Sequence, residues 1–146
     1  MTAKQYLGRV HQLRRQCESL ERKILLTRAK AEGLRGITYD KDRVMTSPTN
    51  NIEEAATELV SLETKYKELI IRYSEAITTR IEQVHGLDDP RYVDVLLLRY
   101  IDEDPKAVRG QKSFDDIAKD MGYKYDHVLH LHGMALKAFT EKYLKS

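Results

Sequence analysis

From Tyr6 onward, apolar or small residues return at alternating steps of four and three: Tyr6, Val10, Leu13, Cys17, Leu20, Ile24, Thr27, Ala31 and Leu34. That spacing keeps a single stripe along one face of a helix, the seam of a coiled coil. Gly33 and Gly36 supply a stop, because glycine readily takes the left-handed conformation that closes a helix. A second seam runs through Ile52, Ala55 or Ala56, Leu59, Leu62, Tyr66, Leu69, Tyr73 and Ala76, and ends near His85 and Gly86. It opens at Ser47-Pro48-Thr49-Asn50-Asn51, where Thr or Asn can cap the first backbone N–H groups and Glu53 and Glu54 favour the positive end of the dipole. Ile70, Ile77, Ile81 and Val84 form an adjoining stripe, so this face is wider than one partner helix covers. Helices of about 30 residues reach roughly 45 Å and are unstable without a partner along their length, so the two are expected to pair as an antiparallel hairpin. A second copy of the chain, or the C-terminal part, would cover the surplus stripe, and a homodimer is one expectation.

The pattern changes at His85-Gly86-Leu87-Asp88-Asp89-Pro90, where Asp89 can cap a new helix and Pro90 suits its first turn. A helix carrying Tyr92, Val95, Leu96, Leu98 and Ile101 follows, then a polar stretch from Asp102 to Lys112, then a short helix with Ser113 as its N-cap and Asp115 and Asp116 in its first turn. From Asp115 to Leu131 the residues meet the steric needs of a helix-turn-helix. Ala118 is the small residue where the helices cross, Gly122 makes the turn, and Ile117, Met121, Tyr123, Val128 and Leu131 fall on inner positions. The expected fold is therefore all-α: residues 1–87 an antiparallel, coiled-coil-like helical hairpin with a connecting loop over 36–51, and residues 88–146 a helix-turn-helix domain. A loop of that length is ordered by function or not ordered at all.

Charge refines this picture. The net charge of +2 is small for a protein that grips DNA by phosphate contacts alone. Residues 1–36 hold nine Lys/Arg against three Asp/Glu, while residues 51–90 hold four against nine. The two hairpin halves are thus electrostatic complements, which favours their pairing over self-association of like helices. Arg14, Arg15, Arg22, Lys23 and Arg28 are accordingly read as a solvated face balanced by its acidic neighbour, with a DNA arm as the competing reading. No apolar run approaches a membrane span, and the one cysteine, Cys17, has no intrachain partner. A soluble intracellular protein with no membrane contact is expected.

At Val95-Leu96-Leu97-Leu98-Arg99-Tyr100, at the residues around Ala118 and Gly122, and at Met134-Ala135-Leu136-Lys137-Ala138-Phe139, the sequence resembles region 4 of bacterial sigma factors. Through Tyr39-Asp40-Lys41-Asp42-Arg43-Val44-Met45-Thr46-Ser47-Pro48 and Tyr125-Asp126-His127-Val128 it is similar to phage and prophage late-gene transcription regulators of the RinA-like, sigma-like group. That resemblance implies a sequence-specific DNA-binding regulator in a bacterial cytoplasm, an activator of phage late genes that works on double-stranded DNA with RNA polymerase as a further partner. It implies base-reading positions at Tyr125, Asp126, Leu129 and His130, with Lys124 and Ser113 near the DNA backbone. Two features depart from sigma factors: Leu129 and His130 stand where Arg or Gln is common, and the link from Asp102 to Lys112 is longer.

Side-chain chemistry supports part of that list. If Val128, Leu131, Ala135 and Phe139 face inward, then Asp126, His127, His130, Met134 and Lys137 face outward. Asp126 can accept from a cytosine amino group, a histidine can donate to guanine, and Leu129 or Met134 can touch a thymine methyl. Lys112, Lys124 and Lys137 can neutralise phosphates. His127, His130 and His132 do not make a metal site, because His132 points to a different side and no Cys or carboxylate pair completes a shell. There is no phosphate-binding Gly-rich loop and no nucleophile with a positioned base, so neither a cofactor nor an enzyme is expected. With ten basic and nine acidic residues over 91–146, one copy would bind DNA weakly, and a dimer or a pre-bound polymerase would have to raise the affinity. The competing expectation is a coiled-coil adaptor or inhibitor that grips a protein such as RNA polymerase through this surface without reading DNA.

Overall fold

The computed structural model describes residues 1–37, 48–107 and 109–145, and over these residues the chain is helical with no strand. The helices are α1 (Ala3–Ile37), α2 (Pro48–His85), α3 (Pro90–Leu96), α4 (Phe114–Met121) and α5 (Tyr125–Phe139). Helices α3 and α5 each run on into a widened turn, Leu97–Ile101 and Thr140–Leu144. There the Asp102 amide reaches the Leu97 carbonyl at 2.8 Å and the Lys145 amide reaches that of Thr140 at 3.0 Å, the π-helical spacing.

Glycine permits a helix stop without imposing one. Helix α1 passes through Gly33, and its described residues reach Ile37, one beyond Gly36. Helix α2 begins at Pro48, which places Thr49 and Asn50 inside its first turn instead of ahead of it. Proline fits that position because its missing N–H would have had no intrahelical partner. Most of the expected loop over 36–51, including Tyr39 to Val44 and Ser47, lies outside the described residues.

By its contacts the chain forms two compact units, residues 16–71 and residues 1–15 with 72–146. This division does not fall at residue 88, where the break in sequence pattern lies. In the unit 16–71, Cys17, Ile24 and Thr27 of α1 and Ala55 and Leu62 of α2 are buried, as the heptad spacing demands. Ala55, not Ala56, is the seam residue. Arg28 donates to Glu63 at 2.9 Å, an exposed pair that contributes at most about 1 kcal/mol.

The other unit has a core in which Leu7 of α1, Val84 of α2, Val95 and Leu96 of α3, Ile117 of α4, and Val128 and Phe139 of α5 all lose their exposed surface. Each such side chain contributes about 1.5–3 kcal/mol on burial. Polar groups set the register of α1 against α2 here: the Tyr6 hydroxyl donates to Gln83 at 2.6 Å, and Arg80 lies over the Tyr6 ring and donates to its carbonyl at 2.8 Å. Arg14 is not a solvated cation. Its guanidinium donates to the Tyr73 hydroxyl at 3.0 Å and to the Ile101 carbonyl at 2.9 Å, which ties α1 to α2 and to the end of the α3 segment.

Candidate nucleic-acid interface

Local rules explain how α4 and α5 are joined. Ser113 caps α4, its hydroxyl accepting from the Asp116 amide at 3.2 Å, and Asp115 and Asp116 occupy the positive end of the helix. Helix α4 stops at Gly122, whose φ of 73° lies in the left-handed region, and the Tyr123 amide then bonds back to the Ala118 carbonyl at 3.0 Å. A Cβ at Gly122 would meet nothing within 4 Å, so backbone conformation and not space calls for glycine here. Helix α5 begins at Tyr125 and buries Val128, Leu131, Ala135 and Phe139, residues three and four apart on one stripe. The opposite side of α5 must therefore face solvent.

That outward side carries most of the expected site residues. Lys124, Tyr125, Asp126, His127, Leu129, His130 and Lys137 are all exposed, as is Ser113 at the start of α4. Tyr125 is 46% exposed, Leu129 38% and Met134 41%, so the surface is partly apolar. Lys112 is only half-exposed, and its ammonium is held by the Asp120 carboxylate, a hydrogen bond that keeps its pKa above the ordinary lysine value. It would reach a phosphate only by leaving that partner. Tyr123, expected on an inner position, lies outside instead. Its ring meets that of His127 edge-on at 4.8 Å, because the left-handed turn at Gly122 swings the following side chain off the core face. Tyr123 and Met134 thus join the same surface; phase along α5 shows the second, while no sequence signal marks the first.

His132 separates from His127 and His130. It is half-buried, hydrogen-bonded to the Tyr100 hydroxyl at 2.7 Å, with its ring 4.8 Å from that of Phe114. Burial pushes the imidazole down to about 4, aided by the charges of Arg99 and Lys4. Burial likewise pushes the Tyr100 phenol up to about 12. Both are neutral at physiological pH. Arg99 lies 4.1 Å over the Phe114 ring and donates to the Lys112 carbonyl at 2.6 Å, fixing the entry into α4. Among the described residues no helix is long and apolar enough to cross a membrane. The chain matches no protein-family model, no curated protein and no solved structure.

Proposed function

We propose that this chain is a sequence-specific, duplex-DNA-binding transcription regulator in which α4, the Gly122 turn and α5 act as a helix-turn-helix of the sigma region 4-like kind. The supporting observation is the outward face of α5, left open by an inner face that is closed at Val128, Leu131, Ala135 and Phe139. In this reading α5 enters the major groove. Asp126 accepts from a cytosine amino group, His130 donates to guanine, and Leu129 or Met134 packs on a thymine methyl. Lys124, Lys137 and Ser113 hold the phosphate backbone. The resemblance to phage late-gene regulators extends the proposal to activation of late genes, with a homodimer or RNA polymerase supplying the affinity that one nearly neutral copy lacks.

Labelled duplexes of defined and scrambled sequence, titrated at low and moderate salt, test this directly. His130→Ala should relax sequence preference and cost about 1–3 kcal/mol, while Lys124→Ala should weaken all duplexes alike and flatten the salt dependence by about one ion. Both variants should keep the helicity and melting of the parent. A parent chain without sequence preference at any concentration would end this reading.

The exposed apolar group Tyr123, Tyr125, Leu129 and Met134 favours a second reading, an adaptor or inhibitor that grips a protein such as RNA polymerase. Binding of purified polymerase that survives moderate salt, without any duplex preference, would select it.

A further inference from the structure

Tyr100, which holds His132 of α5, also lines a cleft of about 180 Å³ on its other side. Lys4, Gly8, Gln12 and Arg15 of α1 form one wall, and Arg109 and Gln111 close the other. Positions four and three apart bring those α1 residues onto one helix face. Lys4, Arg15 and Arg109 bring basic side chains from three positions, and no carboxylate lines the cleft. Among the described residues none of the three has an ion-pair partner. Three cations gathered from distant parts of the chain around one cleft make it electropositive and favour an anion there.

His11 shares this cleft but is not one of its donors. Its Nε2 lies 3.3 Å from the Arg99 carbonyl, which can only accept, so Nε2 carries the proton and Nδ1 turns its lone pair to the Arg14 guanidinium at 3.3 Å. Burial and the neighbouring arginines hold the ring below the ordinary histidine pKa. His11 is a neutral wall.

Gly8 supplies an independent sign. A glycine inside a helix is about 1 kcal/mol less favourable than alanine, and at Gly8 a Cβ would meet nothing within 4 Å. Packing does not require glycine here. Its bare backbone leaves this part of the wall open to a ligand.

We propose that this cleft binds a phosphate group, held by the Lys4 ammonium and the Arg15 and Arg109 guanidinium groups, with the side-chain amides of Gln12 and Gln111 as further donors. A planar carboxylate is satisfied by one guanidinium fork, whereas a tetrahedral phosphate presents oxygens to cations on both walls. The phosphate comes either from the backbone of a duplex or from a small phosphate compound, and the same donors capture both. The site does not depend on α5 reading bases.

The test uses the full chain, with Arg109→Gln and with Gly8→Leu, which fills the cleft, removes no charge and raises helix propensity. Each protein is checked for an unchanged melting transition, then titrated calorimetrically with inorganic pyrophosphate and, by anisotropy, with a labelled random-sequence duplex at several salt concentrations. Both variants should weaken at least one probe by about tenfold or more. Loss confined to the duplex, with a shallower salt dependence in Arg109→Gln, identifies a backbone phosphate; loss confined to pyrophosphate identifies a small compound. Loss in Arg109→Gln but not in Gly8→Leu overturns the site, because removing a charge weakens any anion without a cleft. Failure of the parent chain to bind either probe overturns it too. Pyrophosphate binding without duplex binding would keep the cleft and remove the DNA reading.

Discussion

Between pH 7 and pH 5 the His132 imidazole meets a conflict between solvent and core. Enclosed by the Tyr100 hydroxyl and the Phe114 ring, it titrates near 4, against 6.5 in an unfolded chain. The unfolded state therefore binds a proton that the folded state refuses, and stability held above pH 6.5 is lost as pH falls toward 4. At pH 5 the loss is about 1 kcal/mol once partial solvent screening is allowed for. Thermal melts of the parent should decline over this range, and His132→Gln should decline less. The remainder falls to His11, whose pKa is lowered in the same direction. Equal slopes in both proteins would show that His132 takes a proton as readily in the fold as in the unfolded chain. From sequence, His132 is recognisable as lying off the face shared by His127 and His130, because helical phase says so; its partner Tyr100 is thirty-two residues away, and no local rule pairs them.

Individual elements follow the short-range rules closely. The Asp89 carboxylate accepts from the Arg91 amide at 2.9 Å and Pro90 opens α3, while Ser113 caps α4. Gly122 is the residue on which the α4 to α5 geometry turns. Alanine there would hold a left-handed φ at a cost of about 1–2 kcal/mol, with no clash to add. Gly122→Ala should thus lower the unfolding free energy by that amount, read as a lower denaturation midpoint with an unchanged slope; a change well below 0.5 kcal/mol would mean that the turn tolerates a side chain. The same turn carries Tyr123 outward, where apolar patterning placed it inward. Periodicity is defined within a helix and has no meaning across a left-handed residue. Helix ends are harder to read than helix faces: α1 runs through Gly33, and α2 opens at Pro48, ahead of the Thr and Asn that could have capped it.

In the whole molecule, the core beneath α5 is not made by the C-terminal residues alone. Leu7 and Val84 lie in it with no exposed surface, beside Val128 and Phe139. Residues 88–146 by themselves would leave apolar surface where α1 and α2 now pack. That fragment should melt at a lower temperature and over a broader range than the full chain in circular dichroism. Leu7→Ala in the full chain should cost about 2–5 kcal/mol. A fragment that melts as sharply and as high as its parent would show α1 to be dispensable to this core.

The residues alone were enough to specify helices, their buried stripes, the caps at Asp89 and Ser113, and the turn at Gly122, because each depends on neighbours within about one helical turn. They also placed Asp126, His127, His130, Met134 and Lys137 on the open side of α5, since a stripe that is buried leaves its opposite free; Tyr125 and Leu129 enter only through the resemblance. Long-range packing settled the rest: Leu7 in the core beneath α5, Arg14 as an internal tie, Lys112 bound to Asp120, and three cations around the cleft at Gly8. These pairings join segments as much as 132 residues apart, Leu7 and Phe139 being the most distant, and side-chain period along one helix carries no information about which distant surface that helix will meet.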